Sequence, residues 1–137
     1  MKKYILLLFF VLQSSFLFSQ KQKRIDYKLI DQVYSYLLKK KVQHPEIVLH
    51  QAILETGWLR GKYLMSRNNL FGFRKKKYMR FKNWKESVDY YEQWQKKRYT
   101  DPKEDYYKFL ERIKYGAPGY SNGLRKIKYT LKCPCTK

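Results

Sequence analysis

Eleven Asp and Glu residues stand against 31 Lys and Arg in this 137-residue chain, so each carboxylate can be asked what keeps it there. Glu46 follows Pro45 in what reads as a helix first turn, where the helix dipole favours a negative charge. Glu86 lies three residues after Asn83, and Glu104 three after Asp101, the spacing of a capping box. Glu92 and Glu104 each have a lysine four residues on, Lys96 and Lys108, as on a helix surface. Glu55 has no such reason to be there. It falls at the C-terminal end of its helix, where the dipole opposes it, on one face with Val48 and Ala52. Desolvation and dipole both raise the pKa of such a carboxyl, toward an acid that stays protonated long enough to donate to a leaving group. A partly buried structural glutamate is the competing reading of the same pattern. Metal chemistry has little to work with: the histidines are His44 and His50, and Cys133 and Cys135 flank Pro134 at the extreme C-terminus. Those are too few ligands for structural zinc, and a bridge across one residue closes a strained ring. No metal and no cofactor is expected.

Helices must position that glutamate. Ile25, Leu29, Ile30, Val33, Leu37 and Leu38 recur at helical spacing, predicting an amphipathic helix over 25–40. Pro45 opens a second helix that should stop at Gly57. A helical turn near 62–66 leads to Asn68-Asn69, and two short strands, 70–73 and 78–81, are expected around the basic turn Arg74-Lys75-Lys76-Lys77. Asn83 starts a helix to about Arg98, and Asp101, Pro102 and Glu104 signal another through Phe109 and Ile113. Gly116-Ala117-Pro118-Gly119 breaks it, and Ser121 is expected to cap a last helix reaching Thr130. The fold class expected is mainly α, one domain over 25–130 with a short β-hairpin, followed by a tail at 131–137.

The first nineteen residues read as a secretory signal. Lys2-Lys3 precede an apolar run from Ile5 to Leu12, and small and polar residues then lead to Ser19. That run is too short to span a bilayer. Cleavage after Ser19 removes two lysines and leaves 29 bases against 11 acids, a formal +18. An exported location follows, in the periplasm, cell envelope or medium, with no stable membrane span after cleavage. At 18% aromatic and 44% apolar residues, the chain is too rich for a disordered basic tail.

Gln51-Ala52-Ile53-Leu54-Glu55-Thr56-Gly57-Trp58, then Asn68-Asn69-Leu70-Phe71-Gly72, closely resembles the bacterial glucosaminidase family of peptidoglycan hydrolases. The resemblance continues into 81–90 and more loosely into 115–124. It implies a lysozyme-like, mainly α fold and hydrolysis of the β-1,4 bond after N-acetylglucosamine in glycan strands. On the matching positions, Glu55 takes the family's general acid. Asn69, Phe71 and Gly72 take the segment lining the sugar cleft, and Trp58 a position bracing the helix end. Tyr115 and Tyr120 fall near the tyrosines beside the acid, with Gly116-Ala117-Pro118-Gly119 departing from the usual spacing, so either tyrosine can face the cleft.

A second departure concerns the partner carboxylate that many members carry in the hairpin. Residues 73–82 hold no acid. A two-carboxylate mechanism, with groups about 5–5.5 Å or 6.5–9.5 Å apart, leaves Glu86 and Asp89 as candidates, and Glu86 is explained as a cap. The substrate's own 2-acetamido group is the alternative nucleophile. The expected partners are peptidoglycan glycan strands and, through charge, anionic envelope polymers. Two other function classes fit parts of the pattern: a wall-binding module that has lost turnover, and a secreted polyanion binder using Lys75-Lys76-Lys77 and Lys96-Lys97-Arg98. No specific nucleic-acid motif is present.

Overall fold

The computed structural model describes residues 24–129, in which six helices occur in the order α1 (Tyr27–Lys39), α2 (Pro45–Thr56), α3 (Lys62–Met65), α4 (Trp84–Arg98), α5 (Tyr106–Arg112) and α6 (Tyr120–Arg125). The fold is mainly helical, as the pattern predicts. The leader at 1–19, Thr130, and the tail with Cys133 and Cys135 lie outside the described residues. Among the described residues no helix is long and apolar enough to cross a membrane, and no group of three or more potential ligands could hold a metal.

Helix α2 is the centre. Val48, Leu49, Gln51, Ala52, Ile53 and Thr56 are all buried on it, and α1, α3 and α6 pack against it. Pro45 sits in its first turn, and Gly57, at φ +56°, ends it in the left-handed conformation that glycine adopts without a Cβ clash. The Trp58 N–H then donates back to the Ile53 carbonyl at 2.8 Å. Asp26 caps α1 by accepting from the Leu29 N–H at 3.0 Å, and Ile30, Val33 and Leu37 form its buried stripe. Asn83 caps α4 by accepting from the Glu86 N–H at 3.1 Å.

Three local expectations are corrected. The hairpin is reduced to a single antiparallel bridge between Arg74 and Tyr78, with no strand among the described residues. The Asn69 side chain takes the place of a ladder, donating to the Phe73 and Met79 carbonyls at 2.8 and 3.0 Å and accepting from the Phe73 N–H at 3.0 Å. Helix α5 is capped by Asp105, which accepts from the Lys108 N–H at 3.0 Å, while Asp101 closes a turn onto the Lys103 N–H. Glu104 is therefore not a capping-box residue, nor does it pair with Lys108; Arg112 grips both its oxygens, at 2.8 and 2.7 Å. Helix α6 begins after Gly119 and ends at Arg125, with Ser121 buried inside it and donating to the Tyr107 carbonyl at 3.3 Å.

Candidate active site

The last turn of α2 carries Glu55 to the wall of a cleft of about 460 Å³. Its carboxyl has one hydrogen bond, accepted by Oε1 from the Tyr120 hydroxyl of α6 at 2.8 Å. Its Oε2 lies over the backbone of Gly72: a Cβ placed there would come within 2.7 Å of it, and Gly72 has φ +66°. Only glycine meets both conditions, which explains why a glycine follows Phe71. Burial raises the pKa of Glu55, and the bond from Tyr120, which favours the carboxylate, opposes the shift only in part. The carboxyl thus lies half-buried on the wall of the cleft, with its charged form disfavoured by burial.

Tyr120 reaches Glu55 because the Gly116–Gly119 break lets its ring lie against the chain. A Cβ on Gly116 would sit 2.3 Å from the ring. Tyr115 does a different task, donating to the Phe71 carbonyl at 2.7 Å and so pinning the segment that carries Gly72. Tyr115 is the tyrosine that lines the cleft, and Tyr120 is the one that touches the acid. Burial raises both phenols well out of the range of ionisation at neutral pH. Phe71 is buried against Tyr91, with ring centroids 4.4 Å apart. Asn69 is fully buried and bonded to backbone, so it shapes the loop from behind the cleft.

The two acids considered as partners lie elsewhere. Glu86 serves the start of α4, accepting from the Lys82 N–H at 2.6 Å, one residue before the Asn83 cap. Asp89 faces α1, accepting from the Tyr36 hydroxyl at 3.1 Å and pairing with Lys40 at 2.9 Å. Glu55 is the only carboxylate among the residues lining the cleft. Trp58 stays out of the cleft and packs edge-on to Tyr129, consistent with bracing.

The sequence alone did not reveal the opposite wall. Trp94 and Arg98, one turn apart on α4, converge on the cleft with Phe73, Arg74, Ile113 and Lys114. Trp94 stands edge-on to Tyr115 at 5.5 Å and to Phe73 at 5.9 Å, making an aromatic wall of the kind that sugar C–H faces pack against. The available signal was the i, i+4 pairing of Trp94 with Arg98 on a helix that is otherwise polar outside.

Behind Glu55 lies a buried polar chain. Gln51, one turn before it, accepts from the Tyr91 hydroxyl at 2.5 Å. Tyr91 also bonds Tyr106 at 2.6 Å, and Gln95 donates to Tyr106 at 2.8 Å and to the Gln43 carbonyl at 2.9 Å. These bonds tie α2 to α4, α5 and the α1–α2 loop, so the helix presenting the acid is fixed from several sides.

No curated protein and no solved structure matches the chain. The family model named Glucosaminidase, described as mannosyl-glycoprotein endo-beta-N-acetylglucosaminidase, matches residues 31–132 and so takes in α2, the cleft and both tyrosines. Matched over most of its length, the chain belongs to the glucosaminidase family of glycoside hydrolases.

Proposed function

We propose that this protein is an exported endo-β-N-acetylglucosaminidase that cleaves the β-1,4 bond after N-acetylglucosamine in peptidoglycan, with Glu55 as general acid. The observation that carries the reading is a half-buried carboxyl with a raised pKa and one neutral partner, alone among carboxylates on an aromatic cleft. Export rests on the basic-apolar-small pattern of residues 1–19.

With Glu86 and Asp89 engaged elsewhere, substrate assistance is the simpler chemistry. The 2-acetamido oxygen attacks the anomeric carbon as the glycosidic C–O bond breaks, and the Glu55 proton passes to the leaving oxygen. The cyclic oxazolinium ion is then opened by water, whose proton returns to Glu55, and configuration is retained. Asn69 and Tyr115 act as positioning residues, through the 69–73 loop and the Phe71 carbonyl. Phe71 and Gly72 form the floor beneath the sugar.

Digestion of purified peptidoglycan followed by mass spectrometry of the reducing ends tests the activity: N-acetylglucosamine ends are expected, and muramic acid ends would refute the reading. Proton NMR of the first-formed anomer tests the mechanism, since an inverted product rules out acetamide attack. The lack of a second cleft carboxylate favours one other reading, a wall-binding module without turnover. That reading requires the absence of any cleared band on a cell-wall zymogram.

A further inference from the structure

We propose that the cleft continues into a subsite for carboxylates carried by the glycan strand, and that this subsite selects acid-bearing over neutral glycans. The inference rests on the glucosaminidase reading and specifies its substrate. A second cavity of about 380 Å³ is lined by five cations, Arg67, Arg74, Lys76, Lys77 and Arg80. None of the chain's eleven acids lines it, and none of the three ion pairs among the described residues includes any of these five. Arg74 and Tyr78 border both this cavity and the Glu55 cleft, so a strand lying over Glu55 can reach it without leaving the protein.

The cluster is held in place despite its self-repulsion. Arg80 donates to the Ser66 carbonyl at 2.6 Å, and Arg67 donates to the Tyr63 carbonyl at 2.9 Å with its guanidinium 3.8 Å above the Tyr63 ring. Tyr63 and Tyr78 meet edge to face at 5.5 Å, giving the pocket an apolar wall between its charges. Lys76 and Lys77 lie exposed on the turn and make no side-chain hydrogen bond or ion pair among the described residues. Guanidiniums held on backbone carbonyls beside exposed ammonium groups suit a carboxylate, which arginine grips through two parallel bonds. The tyrosine wall suits the carbon skeleton bearing that acid, either the sugar's own ether-acid arm or an attached peptide.

Isothermal titration of the Glu55→Gln protein, in which turnover is expected to be strongly slowed, tests this. Three probes are needed: an N-acetylglucosamine tetramer, a tetrasaccharide whose alternate sugars carry a free lactyl ether acid, and the same tetrasaccharide carrying its peptide. At low salt at least one acid-bearing probe is expected to bind roughly tenfold or more tighter than the neutral tetramer, a preference that salt weakens. Which one does so identifies the source of the carboxylate. Adding Lys76→Gln and Lys77→Gln should bring the ratio down toward one. Equal affinities, a ratio unmoved by the lysine substitutions, or no binding of any probe would overturn the subsite. If Glu55→Gln fails to fold, the wild-type protein titrated in the cold with the same probes gives the ratio. A preserved preference with no digestion of peptidoglycan leaves the subsite standing and removes the hydrolase reading; digestion without preference does the reverse.

Discussion

The end of α2 and the start of α4 each hold a glutamate, and the two are held in opposite ways. Glu86 sits at a helix N-terminus, where the dipole favours its charge; its carboxylate accepts from the Lys82 N–H while its own N–H donates to the Asn83 side chain. Glu55 sits at a helix C-terminus, half-buried, with one phenol as partner and a pKa raised by burial. The first glutamate supports its helix as a charge, and the second has its charged form disfavoured where it stands. An acid that the surrounding structure disfavours but still encloses is the stronger candidate for chemistry than one whose every bond serves the helix.

The largest effect should come from Glu55→Gln. Loss of a positioned general acid is expected to lower kcat by about 10²–10⁴-fold, roughly 3–5 kcal/mol of transition-state stabilisation, read by release of reducing ends. The same variant should show the opposite sign in stability. A carboxyl whose pKa is raised on folding binds its proton more tightly in the native state, so native stability falls as pH rises from the unfolded pKa through the folded one. Glu55→Gln should therefore melt higher than wild type above that window and the same below it. Glu86→Gln losing as much activity would break the comparison. Gly72→Ala comes next. Its left-handed φ costs about 1–2 kcal/mol for an L side chain, and the new methyl displaces Oε2. Activity should fall by roughly 10²-fold per ångström of misplacement, with a lowered melting temperature. Asn83→Ala should lose about 0.5–2 kcal/mol of stability by denaturant titration with kcat unchanged. The smallest effect is that of Tyr120→Phe. Removing the bond that favours the carboxylate raises the Glu55 pKa further, so the alkaline limb of the pH–rate profile should move to higher pH.

Most of the helical frame was legible because it is written in local signals. Pro45 and Gly57 delimit α2, and Asn83 with Glu86 opens α4, because caps and breakers act within one turn of themselves. Asp101 misled because Asp105, four residues on, offers the same side chain directly before the buried Tyr106 and Phe109, and the helix starts where burial begins. The hairpin failed for a related reason: one buried asparagine satisfies the backbone groups that a ladder would have used. Glu55 was visible as a charge in the wrong place. Trp94, Arg98 and Lys114 were not, because each looks like ordinary helix or loop surface until α4 and the loop after α5 meet across the cleft.

The bond from Tyr120 to Glu55 joins residues 65 apart in the chain. Synthesis proceeds from the N-terminus, so Glu55 emerges long before the segment that encloses it. Before the chain folds, that glutamate is an ordinary solvated carboxylate with an ordinary affinity for protons. The raised pKa comes from burial, so it belongs to the folded chain and not to the helix motif, and an unfolded chain holds every residue of that motif with a carboxylate of ordinary proton affinity.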